Sequence, residues 1–268
     1  MRPIIYNIYS KNKMGDFKMQ TLLKGNYCLS GNALKIIAAI SMIIDHVGVI
    51  LLPKITVLRI IGRISFPIFA FMIAEGATHT KNKLKYFLFV FLLGAICQTA
   101  LYIVKGPEKL NVLLSFSVAI LGIYALQYMK SNLFSKNKKI FIKLLSICFF
   151  IVFIVGIYLL NQKIRIDYGF WGCMLPISVS IFKLPKEVDF PGLKKLDNLF
   201  LHLILFAVCL VFLTLKYKWI QSYALFSIPF LLFYSGKRGR YKMKYFFYIF
   251  YPAHLVVLEG IGLILKHF

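Results

Sequence analysis

Acidic residues are scarce in this chain of 268 residues, where nine Asp and Glu stand against 33 Lys and Arg. Charged residues make up only 16% of the sequence, whereas soluble domains carry about 25%. Hydrophobic residues reach 60%, and the mean hydropathy is +0.76. Several apolar runs approach the roughly 20 residues needed to cross a bilayer core. The composition excludes a soluble catalytic domain and predicts an all-α, polytopic membrane helical bundle.

Other features are missing as well. The five cysteines form no CxxC and four lie in apolar segments, so we expect neither a disulfide framework nor a metal site. The first 26 residues lack the apolar region of a signal peptide, and the first span is expected to serve as an uncleaved insertion signal. No internal repeat is visible, which weighs slightly against a transporter. We predict a basic cytoplasmic tail over residues 1–28 and one membrane domain over 29–268.

About nine apolar segments are predicted to span the membrane, with eight and ten as alternatives because two segments are short. Their approximate ranges are 33–53, 61–78, 86–104, 111–129, 140–160, 168–182, 199–215, 219–234 and 245–265. The loops on the N-terminal side carry roughly twice as many Lys and Arg as the loops opposite. This bias predicts a cytoplasmic N-terminus in the plasma membrane. The net charge of +24 then indicates contact with anionic lipids rather than with nucleic acid.

Asp45 and His46 are adjacent within an otherwise apolar span. An Asp at the centre of a membrane helix costs about 2.5–3.5 kcal/mol on insertion scales. The two side chains therefore either face a polar cavity and do chemistry there, or make a buried structural contact. Arg59 and Arg63 are four residues apart at the start of the next span and share a helix face. They predict a cationic entrance, with an Arg63–Asp45 ion pair as the structural alternative.

Histidine suits acyl transfer, because its pKa lies near neutral pH. His46 is predicted to act as a general base or to accept the acyl group itself. Neighbouring residues on a helix point about 100° apart, so Asp45 need not contact His46, and the group that orients His46 is Asp45, Glu75 or another group. His254 follows Pro252 in the last span and is interpreted as a cavity residue or an interhelical hydrogen bond. Further polar residues at span ends are Asn111, Asp167 and Tyr168.

Several short sequence blocks follow one another over about residues 29–258. The blocks are Leu29-Ser30-Gly31-Asn32-Ala33-Leu34-Lys35, Ile44-Asp45-His46-Val47-Gly48, Ile61-Gly62-Arg63-Ile64-Ser65-Phe66-Pro67-Ile68-Phe69, Glu75-Gly76, Asn111, Asp167-Tyr168-Gly169 with Gly172, Gly236-Lys237-Arg238-Gly239, Lys244 and Tyr251-Pro252-Ala253-His254. Together they strongly resemble the TraX family, named for a conjugation protein that N-acetylates pilin. The first block is specific, and the later ones gain force from their order.

The Asp-His pair followed by an Arg and a Pro-x-Phe helix is also similar to the wider transmembrane acyltransferase superfamily. The resemblance implies a helical bundle around a tunnel, with acetyl-CoA entering from the cytoplasm and no metal. His46 would be catalytic, and Asp45 or Glu75 would orient it. Arg63, Lys237, Arg238 and Lys244 would bind acetyl-CoA, while Asn111, Asp167, Tyr168 and His254 would line the substrate cavity. The acceptor would be a peptide, a pilin or a glycan.

Two other functions compete with an acetyltransferase. A proton-coupled transporter would use Asp45, His46 and Glu75 as a proton relay, and it would have no affinity for CoA. A non-enzymatic scaffold in a conjugation or secretion complex would tolerate substitution of all these polar residues.

Overall fold

The computed structural model describes residues 29–106, 109–185, 188, 190–217, 219–241 and 243–267. The predicted tail over 1–28 lies outside them. The described residues contain α-helices, one 3₁₀ turn and two isolated bridges, Leu29 to Tyr234 and Leu110 to Ile166, but no β-strand. The predicted all-α class is therefore confirmed.

The helices in the described ranges are numbered here in chain order. They are α1 (Gly31–Ile50), α2 (Thr56–Gly62), α3 (Ser65–His79), α4 (Lys83–Lys105), α5 (Val112–Leu133), α6 (Ile140–Lys163), α7 (Gly169–Val179), α8 (Pro191–Lys194), α9 (Leu199–Tyr217), α10 (Trp219–Ser222), α11 (Ser227–Leu232) and α12 (Lys244–His267), with the 3₁₀ turn Tyr223–Phe226 between α10 and α11.

Seven segments of the described chain are long and apolar enough to cross a membrane, with α2 and α3 together forming one of them. Two shorter apolar segments, Gly169–Val179 and Trp219–Leu232, complete the set. They coincide with the two segments that the sequence predicts to be short. The protein is thus a multi-pass membrane protein, and seven full spans plus two partial ones account for the nine predicted segments.

A break between α2 and α3 follows from Pro67. Proline has no N–H, so it cannot donate to the carbonyl of Arg63 as a continuous helix would require. Pro67 is tolerated because it lies in the first turn of α3, where N–H groups have no helical partner. The Ser65 hydroxyl donates to the Ala38 carbonyl of α1 at 2.8 Å. The break therefore leaves Arg63 between two helices and beside α1.

The core is formed mainly by α1, α3, α5, α7 and α9. Phe71 on α3 meets Phe206 on α9 edge to face, and both rings are fully buried. By contrast, α6 exposes most of its apolar side chains, as expected of a helix that faces lipid. The C-terminal helix α12 lies outside this core and packs mainly against α1.

Candidate active site

A cavity of about 1040 Å³ runs through the bundle between α1, α3, α4, α5 and α12. Lys35 and Arg238 line it near the N-terminal end of α1, and Asp167 and Tyr168 line it at the opposite end. His46 also contributes to the wall. It lies about 22 Å along α1 from Gly31, given 1.5 Å per helical residue. The cavity therefore connects a basic end with the histidine that the sequence predicts to be catalytic.

Asp45 is engaged by two arginines. Arg63 Nη2 donates to both carboxylate oxygens at 2.5 and 2.6 Å, and Arg59 Nε donates to Oδ1 at 3.1 Å. The Asp45 and Arg63 side chains are only 15% and 11% exposed. Arg63 Nε donates to the Arg59 carbonyl, and Nη1 donates to Gln221 Oε1 at 3.3 Å. The structure thus shows the ion pair given above as the structural alternative.

This pairing changes the expectations for both residues. Asp45 contacts arginines, and no hydrogen bond among the described residues joins it to His46. Arg63 uses each nitrogen of its guanidinium within the protein, and it lies far from Arg238 at the other end of the cavity. Four of the five N–H donors of the Arg63 guanidinium are thus used within the protein. The geometry supports a structural role for Asp45 and Arg63, and it does not support the predicted binding of acetyl-CoA by Arg63.

Two glycines allow α1 and α2 to approach closely around this pair. A Cβ added at Gly62 would lie 2.7 Å from Asp45 Cα, and one added at Gly48 would lie 2.8 Å from Leu58 Cβ. Real Cβ atoms do not approach other atoms so closely. Gly62 is therefore part of the site, although it carries no chemistry of its own.

His46 is oriented by backbone rather than by an acid. Its Nδ1 lies 2.8 Å from the Met42 carbonyl oxygen, one turn earlier in α1. A carbonyl can only accept a hydrogen bond, so Nδ1 carries the proton and Nε2 of the neutral ring has a free lone pair. A backbone carbonyl therefore orients His46 and fixes its tautomer, a role for which the sequence predicted a carboxylate.

His254 adjoins His46 from α12. The ring centroids are 5.0 Å apart and the planes cross at 79°. His254 Nδ1 lies 2.9 Å from the Phe250 carbonyl oxygen, and its buried Nε2 has no hydrogen-bond partner in the described structure. The structure thus brings together two histidines from opposite ends of the sequence.

Glu75 lies on the cavity wall but belongs to a different cluster. Its Oε1 is ion-paired with Lys183, which lies in the loop after α7, and Tyr234 donates to its Oε2 at 3.5 Å. His79 Nδ1 is 3.6 Å from the same Oε2. Among the described contacts none joins Glu75 to His46. The geometry therefore does not support Glu75 as the acid that orients His46.

Asn111 caps the start of α5. Its side-chain oxygen accepts hydrogen bonds from the N–H groups of Leu113 and Leu114, and its Nδ2 donates to the Gly94 carbonyl at 2.8 Å. The side chain also contributes to the cavity wall. Because all these partners are backbone groups, Asn111 chiefly holds α4 and α5 together beside the cavity.

Asp167 and Tyr168 form the end of the cavity opposite Arg238. Lys109 donates to Asp167 Oδ1 at 2.6 Å. Tyr168 has the left-handed φ of 58°, which a non-glycine residue seldom adopts, and its ring stacks on Phe66 with centroids 3.7 Å apart. The structure therefore places an aromatic platform at this mouth.

The loop before α12 closes over the start of α1. The N–H groups of Gly31 and Asn32 donate to the carbonyls of Lys237 and Arg238 at 2.8 and 2.9 Å. The side chains of Lys237 and Arg238 are exposed, and that of Arg238 reaches the cavity. Lys244 is the first residue of α12, but its side chain lies outside the described part of the structure. Basic groups thus gather at the predicted cytoplasmic end.

Three polar residues on or beside the cavity wall were not predicted from the sequence. Lys183 is one of many basic loop residues, and Gln221 carries the one side-chain amide of the short apolar segment 219–234. Lys35 is half-buried on the cavity wall, with its Nζ 5.7 Å from the Phe247 ring centroid. Each is a polar group near an apolar run, which is the same signal that identified Asp45.

Comparison with known proteins agrees with the resemblance described from the sequence. The sequence model described as TraX protein matches residues 30–262. The chain is 25% identical over 262 residues to a protein of Dichelobacter nodosus named probable fimbrial assembly protein FimC, serogroup H1, covering 87% of this chain and 96% of that one. It is 37% identical over 91 residues to an uncharacterised protein of Rickettsia prowazekii (strain Madrid E), covering 34% and 35%. No solved structure matches.

Proposed function

This chain belongs to the TraX family, and from that premise we propose that it is an integral membrane acetyltransferase of the plasma membrane. It transfers an acetyl group from cytoplasmic acetyl-CoA to an amine of a pilus protein. The observation that carries the proposal is a single cavity that joins a basic end, with Lys35 and Arg238, to a histidine whose Nε2 is free. The relative named as a fimbrial assembly protein supports the choice of acceptor.

The charges at the basic end suit the donor. Lys35, Lys237 and Arg238 carry positive charge near the start of α1, where the phosphates of acetyl-CoA would bind. The cavity is at the upper limit of the volumes typical of ligand pockets, about 300–1000 Å³. It therefore has room for an extended thioester arm that reaches towards His46.

His46 acts as the general base in this proposal. The amine nitrogen of the acceptor attacks the acetyl carbonyl while His46 Nε2 removes its proton, the C–N bond forms and the C–S bond breaks. His46 then returns the proton to the sulfur, which leaves as the free thiol of CoA. The Met42 carbonyl holds the Nδ1 proton in place, so that Nε2 is the nitrogen that takes up and returns the amine proton. The acceptor enters past Tyr168 and Asp167.

The test is transfer of radiolabelled acetyl from acetyl-CoA by the protein purified in lipid nanodiscs, with pilin N-terminal peptides and glycans as acceptors. We expect His46→Gln to lower the rate by about 10²–10⁴-fold, the usual contribution of a general base. It should leave CoA binding unchanged. Full activity of this variant would overturn the role of His46, and labelling of a glycan alone would overturn the choice of acceptor.

A covalent route is tested separately. Mass spectrometry of the protein incubated with acetyl-CoA but without acceptor should show no acetyl group on His46. A stable acetyl-imidazole there would replace base catalysis with a two-step transfer. The transporter alternative gains no support, because the two acids of its relay are each ion-paired away from His46.

A further inference from the structure

We propose that His254 is a positioning residue that shares the catalytic proton with His46. The inference rests on the proposed acetyl transfer, in which His46 becomes positively charged after it deprotonates the acceptor amine. The contact between the two rings, 5.0 Å between centroids, joins α12 to α1 beside the cavity.

The hydrogen bonds of the two rings determine where a proton can go. Both Nδ1 atoms are directed at carbonyl oxygens of their own helices, four residues earlier, at 2.8 and 2.9 Å. Both neutral rings therefore carry their proton on Nδ1 and a bare lone pair on Nε2. Two bare lone pairs cannot form a hydrogen bond with each other, and the buried Nε2 of His254 has no partner among the described residues.

One added proton allows a hydrogen bond between the two rings. When His46 Nε2 takes a proton from the amine, that N–H becomes a donor, and the unpartnered Nε2 of His254, on the neighbouring ring, is the acceptor that we assign to it. Hydrogen bonding to the charged form stabilises it. The proton stays on the pair until the sulfur of CoA takes it, so no proton is gained or lost over the reaction.

The groups around His254 are aromatic rings and a few titratable side chains. Its ring is stacked on Phe250, with centroids 5.1 Å apart and planes at 12°, and the residue is 7% exposed. Tyr251 on its own helix is a further titratable neighbour at 5.6 Å between centroids. From α1 the charged groups are His46 and, next to it, Asp45, which its two arginines already engage. Glu259 lies five residues further along α12.

The first experiment does not depend on enzymatic activity. Diethylpyrocarbonate modifies neutral imidazole, and mass spectrometry gives the extent of modification of His46 as a function of pH. We compare the wild type with His254→Phe, which has no hydrogen-bond acceptor, and with His254→Gln, whose side-chain oxygen can accept. In His254→Phe the charged form of His46 loses its acceptor, so the modification curve should move to lower pH by about one unit. The shift should be smaller in His254→Gln.

The control is Leu258→Ala, one turn beyond His254 on the buried side of α12. It weakens packing of the helix without removing a proton acceptor, so its curve should coincide with that of the wild type. Identical curves for His254→Phe, which has no hydrogen-bond acceptor, and the wild type would overturn the proposal, as would an equal shift in Leu258→Ala.

A second readout uses the transfer reaction. His254→Phe should lower kcat by about 10- to 100-fold, a cost typical of a partner that orients a reacting group. The KM for acetyl-CoA should be unchanged. If the wild type transfers no acetyl group, the proposed function fails, whereas the modification curves still decide whether the proton is shared.

If neither His254 variant folds, histidine spectra of the native protein test whether the two rings share a proton. In ¹⁵N-histidine spectra, a pair that shares one proton titrates in two coupled steps seen by both rings. Two independent single-step titrations of His46 and His254 would overturn the proposal.

Discussion

At the scale of single residues, the site is organised by the competition for hydrogen bonds among a few polar groups in an apolar bundle. Asp45 satisfies two arginines, while the backbone of α1 satisfies His46 Nδ1. The adjacent residues therefore serve different purposes. Asp45 holds helices together, and His46 is left with a free nitrogen.

Loss of the Asp45 charge should destabilise the protein. Asp45→Asn leaves Arg63 without its partner while it is largely buried, and breaking a buried ion pair costs about 3–5 kcal/mol. We expect a clearly lower thermal midpoint in detergent, measured by tryptophan fluorescence. The double variant Asp45→Asn/Arg63→Gln should recover part of the loss. A single variant as stable as the wild type would show that the pair contributes nothing to stability.

At the scale of helices, close approach and capping position the site. The α2–α3 break at Pro67 leaves Arg63 between two helices, and glycines let α2 lie against α1.

The sequence predicted these features only in part. The apolar runs predicted the spans well, because the demand for about 20 apolar residues is strong and local.

Contacts between helices were harder to predict, because they depend on which faces meet. The 100° step between neighbours left open which acid would reach His46, and the structure shows that a carbonyl does so instead. The Lys183–Glu75 pair joins residues 108 positions apart, and no local pattern indicates it. His254 was identified as a polar residue beside a proline, but its contact with His46 required the fold.

Gly62→Ala should be costly. The added Cβ would overlap the Asp45 backbone, and overpacking of this kind costs about 1–3 kcal/mol. The matched control is Gly156→Ala on α6, where an added Cβ meets nothing within 4 Å. That control should change stability by less than about 1 kcal/mol. Equal thermal midpoints for the two variants would contradict the close packing of α1 and α2.

The two asparagine caps of neighbouring helices give a second comparison. Asn111→Ala removes a buried cap that also binds the Gly94 carbonyl, whereas Asn82→Ala removes an exposed cap with one hydrogen bond to the Lys85 N–H. A cap contributes about 1 kcal/mol. We expect the larger loss of thermal stability for Asn111→Ala, and the reverse order would show that its interhelical bond is unimportant.

At the scale of the whole molecule, the proposal requires the basic end of the cavity to face the cytoplasm. Exposed Lys237 lies at that end, and exposed Lys54 follows α1 at the other. In a chain whose five cysteines are replaced, a membrane-impermeant maleimide should label Lys54→Cys in intact cells. It should label Lys237→Cys only after permeabilisation. The opposite pattern would invert the predicted topology.

The attachment of α12 has a consequence for how relatives can diverge. Its buried residues His254, Leu258 and Gly262 recur every four positions and form one stripe towards α1. Most of its remaining surface is exposed, yet the helix supplies one wall of the cavity. Substitutions outside the stripe can reshape this wall at little cost to the core. If the proposed acetyl transfer holds, evolution can thus exchange one acceptor for another through α12 while the proposed chemistry on α1 stays unchanged.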